Sequence, residues 1–287
     1  MFYSNVFLTN KNTEVILSKQ SAANFSIESN NAPAGFGSPT VSLGRTSPTA
    51  DLVDAFPTKT GMDINATGSG YIAATPYVNR DPRLDYTVFY NGMQWLKRGV
   101  ETFDGGLDKP PGGSLVQTRT GYYLRKFMGN FATSTSYTNQ SHNFIIFRYA
   151  EMLLNYAEAL NELGLTEEAV NQIKLLRQRA TITAGVNGRY GIAANISKDD
   201  MRTLIRNERR IELAFEEHRF WDVRRWKIAS TVLNGPVYGT KVTKSGSVIT
   251  YTKVQAANLI FDNKLYYMPI PYNEVVKNTN LIQNPGW

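Results

Sequence analysis

Residues 149–176 read YAEMLLNYAEALNELGLTEEAVNQIKLL, and the fold is decided there. Tyr149, Met152, Leu153, Tyr156, Ala157, Leu160 and Leu163 recur at steps of three and one, the stripe of an amphipathic helix. Gly164 follows as a C-cap, free to take the left-handed backbone that closes a helix. Thr166 opens a second helix. Glu167 and Glu168 lie in its first turn, where the helix dipole favours acids. Its buried side falls on Ala169, Val170, Ile173 and Leu176. A connection this short forces the two helices to run antiparallel.

Gly164 followed five residues later by Ala169 is the turn-and-contact spacing of a tetratricopeptide (TPR) unit, in which a small residue lets the helices pack closely. One clear copy is visible. A lone unit cannot bury both faces, so its outer faces need partners in the rest of the chain or outside it. Downstream, Ser197 with Asp200 fits a capping box and opens a third helix expected to reach about Trp226. Residues 146–230 therefore read as a TPR-like helical unit.

The flanks have another texture. Residues 1–145 read as loop-rich. Val15–Leu17 suits a short strand, residues 26–48 are loop by composition, and residues 49–56 (TADLVDAF) suit one short helix. Residues 85–90 (DYTVFY) look like a strand followed by an Asn91-Gly92 turn. Residues 121–127 (GYYLRKF) also read as a strand, and residues 144–147 as either a short buried strand or the entry to the next helix. Residues 231–287 are β-like or extended. A hairpin is expected over residues 237–254 around Ser245-Gly246, and the prolines of residues 265–271 (LYYMPIP) favour extended chain. The fold class expected is mainly α, a TPR-like scaffold with a loop-rich region and small β-hairpins.

Composition excludes several functions. The chain has 287 residues, and about half are apolar once Gly is included, too many for a disordered chain. No Cys is present. That removes disulfides, thiolate metal sites and thiol nucleophiles. No run approaches 18 apolar residues, the length a membrane helix needs. Met1-Phe2-Tyr3 carries no signal-peptide signature, so an exported protein would have its targeting end elsewhere. The net charge is +7. Yet the most basic stretch, residues 198–227, carries nine Lys/Arg against seven acids. A nucleic-acid surface wants unpaired positive charge on one face, so nucleic acid is not the expected partner.

Catalytic constellations are thin. His142 and His218 are the only histidines, and HExxH, GxSxG and the P-loop are absent. No metal or cofactor is implied, although oxygen-only Ca²⁺ sites stay open. Residues 68–73 match GxGxxA by letters. No strand precedes them and Pro76 stops any helix, so they read as a turn. Glu208, Glu212 and Glu216 repeat at i,i+4, with Arg209, Arg219, Asp222 and Arg225 interleaved. One reading is a glycosidase-like carboxylate pair. But i,i+4 neighbours sit about 5–6 Å apart on one surface, whereas catalytic carboxylates flank a bond from two sides. The other reading is an ion-pair network that locks this helix to its neighbours, with Phe215, Trp221 and Trp226 around it.

The aromatics are more suggestive. There are 34 (4 Trp, 16 Tyr, 14 Phe), and many lie in turn-rich segments: Tyr71, Tyr77, Tyr86, Tyr90, Trp95, Phe103, Tyr122 and Tyr123. Sugars present C–H faces that stack on flat rings, and their hydroxyls want polar side chains. Asn79, Asp81, Asn91, Gln94 and Asp104 lie in the same stretch. Core packing is the competing role for any single Tyr or Phe. The candidate ligand-binding residues are Trp95, Tyr77, Tyr90, Asn91, Tyr71 and Gln94. Trp95, between Gln94 and Lys97 just past a turn, is the one expected to be exposed.

These stretches resemble a known family. Residues 148–159 (RYAEMLLNYAEA), 207–216 (NERRIELAFE) and 219–226 (RFWDVRRW) are similar to blocks of the SusD/RagB outer-membrane nutrient-binding proteins. So are residues 51–56 (DLVDAF), 79–83 (NRDPR), Pro269-Ile270-Pro271 with Glu274, and the closing QNPGW. The resemblance runs in order from about Thr49 to Trp287. It implies a TPR-type helical scaffold with a loop-rich face that holds ligand. It also implies a surface lipoprotein of a Gram-negative bacterium that sits as a lid on a SusC-like TonB-dependent transporter. Members bind oligosaccharides, and some bind peptides; they are not enzymes. The chain resembles the second half of such proteins, without lipidated end or earlier TPR units. The shared blocks determine the fold, so no ligand-binding residue is carried over from them.

Three functions remain open at this stage. The first is non-catalytic glycan capture at the outer surface for delivery to the transporter. The second is a protein- or peptide-interaction scaffold with an apolar groove along residues 148–180. The third is a glycoside hydrolase with two carboxylates facing across a cleft.

Overall fold

The computed structural model describes residues 3–36, 42–112, 117–129, 131 and 137–287. Chain order begins with β1 (Val15–Lys19), α1 (Ser26–Asn31), α2 (Ala50–Ala55), α3 (Pro82–Thr87), β2 (Val88–Phe89), β3 (Gln94–Trp95), β4 (Arg98–Gly99), β5 (Tyr123–Leu124) and β6 (Phe144–Arg148). It continues with α4 (Tyr149–Glu162), α5 (Thr166–Arg179), α6 (Lys198–Glu212), α7 (His218–Arg225), α8 (Ala229–Val232), β7 (Gly235–Ser245), β8 (Val248–Leu259) and α9 (Tyr272–Lys277). The architecture is mainly helical. Its strands pair only as two-stranded antiparallel ladders among the described residues: β1 with β6, β2 with β5, β3 with β4, and β7 with β8.

The α4–α5 hairpin forms as the periodicity predicts. Gly164 takes φ +84°. The Leu165 N–H reaches the Leu160 carbonyl at 2.9 Å, and the Gly164 N–H reaches that of Asn161 at 3.0 Å. This pair of bonds is a Schellman closure. Ala169 is fully buried between the helices, and α6 lies against both. Leu154, Ala157, Val170, Ile173, Met201 and Ile205 form one apolar core. The Ser197 hydroxyl caps α6 by accepting the Asp200 N–H at 3.1 Å. Two further cores lie in the loop-rich part. One gathers Phe36, Phe89, Trp95, Tyr123 and Tyr137. The other gathers Val53, Phe56, Leu84, Val88, Tyr122 and Ile211, so it joins α2 and α3 to α6.

The third helix does not run to Trp226. It stops at Glu212, and Phe215 and Glu217 take positive φ before α7 begins. The reason lies in buried cations. Lys126 Nζ donates to the Glu212 and Ala214 carbonyls at 3.0 and 2.8 Å, and Arg148 Nη2 donates to the Glu212 carbonyl at 2.9 Å. Groups that would have carried the helix onward are satisfied from outside.

Residues 85–90 also differ from the expected strand: α3 occupies 82–87 and only Val88–Phe89 is extended. Asp81 caps α3 by accepting the Arg83 N–H at 2.9 Å, and Pro82 stands in its first turn, a start signal that outweighs the local β propensity. Within the expected loop of 26–48, residues 26–31 form α1, and 37–41 lie outside the described residues. The hairpin is longer than expected, spanning 235–259, and turns at Gly246. Turns close at residues 66–69 and 72–75, where the Ser69 and Thr75 N–H groups donate to the Ala66 and Ile72 carbonyls, both at 3.0 Å, and Gly68 and Gly70 take positive φ. No helix among the described residues is long and apolar enough to cross a membrane.

Candidate functional site

Three of the candidate tyrosines gather at one place. Tyr77 and Tyr90 stack at 3.9 Å between ring centroids with 17° between planes. Tyr251 of β8 meets Tyr77 edge-on at 5.3 Å. The Tyr77 hydroxyl donates to that of buried Tyr122 at 3.3 Å, and Tyr122 shares a 2.8 Å bond with Thr240. The Tyr90 hydroxyl donates to Asp85 at 2.7 Å. Tyr71 lies under the Arg80 guanidinium at 5.3 Å. Arg80 itself is pinned by the Val53 and Phe56 carbonyls at 2.6 and 2.7 Å. Tyr238 of β7 lies under Lys253 at 4.9 Å, and Lys253 reaches Asp54 at 2.8 Å. All of Tyr71, Tyr77, Tyr90, Tyr238 and Tyr251 are partly exposed. The result is a shelf of rings along α2 and the base of the hairpin, backed by rigid core.

Burial raises the phenol pKa values of Tyr71, Tyr77 and Tyr90. These hydroxyls therefore stay protonated at neutral pH. With the Tyr77 and Tyr90 O–H groups already donated to Tyr122 and Asp85, these two oxygens can still accept hydrogen bonds, and the rings offer flat apolar faces. Sequence reading missed Tyr238 and Tyr251, which arrive from more than 120 residues away in the chain. The signal was present in the hairpin's alternation, but nothing local says which segment the hairpin will cover.

The other candidates do not join the shelf. Trp95 is not exposed: it is 2% accessible. It stacks on Tyr137 at 5.7 Å, meets Phe89 at 4.8 Å and Phe36 at 5.2 Å, and donates its Nε1–H to the Gly129 carbonyl at 3.1 Å. The tight β3–β4 turn brings Trp95 opposite Arg98 and turns its ring inward. Asn91 is buried and accepts the Thr102 N–H at 3.0 Å, which makes it a turn-holding group. Gln94 is exposed on β3, with no ring of the shelf in contact. Tyr123 is buried with Trp95, and Tyr86 is exposed under Arg125. Of the aromatics weighed from the sequence, Trp95, Tyr122 and Tyr123 belong to the core, Tyr71, Tyr77 and Tyr90 to the shelf, and Tyr86 and Phe103 to neither.

The acidic helix face is buried. Glu208 pairs with Arg83 at 2.7 Å and Arg177 at 3.0 Å. Glu212 pairs with Arg148 at 2.7 Å, Arg83 at 2.9 Å, and Arg179. Glu216 pairs with Arg148 and Lys126, both at 2.6 Å. Burial would push the Glu212 carboxyl up, but Arg179, Arg148, Arg83 and Lys126 hold it well below the usual carboxylate range. Carboxylates held this way do not face one another across a cleft. A second group links Arg209 to Asp222 at 3.0 Å, Asp222 to Arg225 at 2.8 Å, and Arg225 to Glu158 at 2.6 Å. Arg219 does not enter either group. It makes no hydrogen bond or ion pair among the described residues and borders a cavity instead. Arg83, Lys126, Arg177 and Arg179 were absent from the sequence reading, because only the tertiary fold brings them in.

The family model described as the SusD family matches residues 13–287. SusD-like protein P2 of Formosa agariphila is 38% identical over 150 residues, which cover 51% of this chain and 26% of that protein. A SusD-like protein from Bacteroides fragilis superposes with TM-score 0.77 at 27% identity, covering 99% of this chain and 56% of that one. A SusD-like carbohydrate binding protein from the same organism gives TM-score 0.70 at 27% identity, covering 94% and 55%. The chain thus spans little more than half of those solved chains. The match of the family model over residues 13–287 settles the assignment: the chain belongs to the SusD/RagB family.

Proposed function

We propose that this chain is part of a protein that captures oligosaccharides at the bacterial outer-membrane surface, without cleaving them, for delivery to a SusC-like TonB-dependent transporter. The observation that carries the reading is the shelf of Tyr71, Tyr77, Tyr90 and Tyr251. It offers partly exposed rings on a rigid backing, held from behind by buried Arg80, with protonated phenols and Lys253 alongside. Flat rings bind sugar C–H faces, while the hydroxyls and the exposed Lys253 ammonium take the sugar oxygens. Family membership and the likeness to a carbohydrate binding protein support the same class of ligand. The buried state of Glu208 and Glu212 removes that pair as hydrolytic carboxylates.

Isothermal titration of the chain against neutral oligosaccharides tests the reading, with Tyr71→Ala and Tyr251→Ala beside the parent. Binding is expected in the parent and weakened about fivefold in each variant, since one stacked ring contributes on the order of 1 kcal/mol. Release of reducing ends during incubation, or equal affinity in all three proteins, refutes it.

A further inference from the structure

A cavity of about 520 Å³ opens between α2, the α6–α7 turn and the start of β7. Arg210 and Arg219 both border it, and neither makes a hydrogen bond or an ion pair among the described residues. The contrast with other buried arginines is sharp. Arg83 spends its donors on carboxylates, Arg148 and Arg177 on carboxylates and carbonyls, and Arg80 on carbonyls. Both are half-buried, and none of their nitrogens is both buried and unpartnered, so their donors are open to an anion at the cavity, where two like charges side by side repel each other. Burial, followed by the charge of Arg210, lowers the Arg219 pKa to about 10; burial also lowers that of Arg210, with Asp51 and Asp54 partly offsetting it. Asp51 borders the cavity too, but its carboxylate is engaged by the Tyr238 N–H at 2.9 Å and by Lys253 at 3.3 Å. The rest of the wall is mostly apolar, including Leu52, Phe215, Pro236 and Val237, with Thr49 and Asn234 as its neutral polar residues and the Asn234 amide bonded to the Ser230 and Phe261 backbone.

We infer that this cavity binds the acidic substituent of a charged sugar residue, a carboxylate or a sulfate ester, with Arg210 and Arg219 as the anion-binding pair. Two guanidinium forks can hold one oxyanion with several charge-assisted bonds. The apolar wall suits a sugar ring's C–H face, and the volume suits a small-molecule ligand. The tyrosine shelf lies across α2, where Asp51 and Asp54 meet Lys253 and Tyr238. One acidic oligosaccharide reaching both would stack one residue and anchor the charge of another. The inference rests on the glycan-capture reading and narrows its substrate class.

The test is titration calorimetry of the chain with tetragalacturonate, a sulfated tetrasaccharide, a neutral tetrasaccharide of equal length and an acidic peptide. Arg210→Gln, Arg219→Gln and Arg219→Lys are compared with the parent, and circular dichroism confirms folding. At least one charged glycan is expected to bind about tenfold tighter than the neutral one. Each Gln variant erases that preference and leaves the neutral glycan unchanged, whereas Arg219→Lys keeps part of it. The preference also shrinks as salt rises. Which charged glycan responds distinguishes carboxylate from sulfate. Neutral binding with no preference for charge in the parent, or a preference surviving both Gln variants, overturns this inference and leaves glycan capture standing. Tighter binding of the peptide through the same arginines also overturns it. Binding of no saccharide at all overturns both readings.

Discussion

Replacing Glu212 by Gln probes the buried charge network directly. Glu212 is fully buried and its two carboxylate oxygens serve Arg83, Arg148 and Arg179. The amide keeps the shape but removes the charge, and three guanidiniums lose a shared counter-ion. Breaking one side of a buried ion pair costs about 3–5 kcal/mol, because the charge left behind is uncompensated. Unfolding entropy near the midpoint is about 2.1 cal/mol/K per residue, or roughly 0.6 kcal/mol/K over this chain. The expected fall in Tm is therefore about 5–8 °C at pH 7, read by differential scanning calorimetry. The pH dependence supplies an independent check. The folded carboxyl lies well below its ordinary value of 4.5. A depressed carboxylate adds stability above its unfolded pKa and loses it as pH falls through the folded pKa. The gap between parent and variant should be full at pH 7 and narrow steadily below about 4.5. A Tm within about 1 °C of the parent at pH 7, or a gap that stays constant down to pH 3, refutes the assignment.

Two further perturbations read other parts of the fold. Trp95→Ala empties the centre of an aromatic core and orphans the Gly129 carbonyl, so a loss of about 3–5 kcal/mol in urea unfolding is expected; an unchanged midpoint with lost glycan binding would reverse the placement of this ring. Gly164→Ala forces a Cβ into a φ of +84° with open space around it. A loss of about 1 kcal/mol is expected from backbone strain alone, and no loss would mean that the α4–α5 turn differs from the Schellman closure.

What the sequence made legible depended on range. The α4–α5 hairpin rests on periodicity and on Gly164, all within 28 residues, and it forms as read. The Ser197 cap and the Ser245-Gly246 turn are local too. The errors occur where a distant group decides. Residues 85–90 carry strand-like rings, yet the cap at Asp81 and Pro82 begins a helix before them. The helix ending at Glu212 looks continuous until Lys126 and Arg148 take its carbonyls. Trp95 sits among polar neighbours that suggest exposure. Its burial comes from Phe36, Phe131 and Tyr137, which no local pattern links to it. For the shelf, three rings were named from the sequence, and the two on the hairpin were not. The repeat of Glu208, Glu212 and Glu216 showed that a charged face exists. It did not show that the partners would be Arg83, Lys126, Arg148, Arg177 and Arg179 from four other segments.

That list of partners explains why a chain with so little sheet holds a defined loop region. Glu212 alone draws together α3 through Arg83, the end of β6 through Arg148, and α5 through Arg179. Glu14, beside β1, joins through Arg148 and Arg179 at 3.0 and 2.6 Å, and Glu216 adds the residue-126 segment. Apolar burial is non-directional and would accept several registers of these short elements. A buried carboxylate is less tolerant, since any register that strips it of a cation leaves an unpaired charge. The network therefore acts on choice more than on net stability: arrangements that misplace α3 or the end of β6 are penalised by several kcal/mol each. Arg80 extends the same logic toward the ligand face. It hangs on the Val53 and Phe56 carbonyls of α2 and its C-cap and lies over Tyr71, while Asp81 beside it both caps α3 and pairs with Arg83. Through Asp81 and Arg83 the shelf is tied to the same charges that fix the helices. A substitution at Arg83 should thus disturb the position of Tyr71 as well as the fold, although the two side chains never touch.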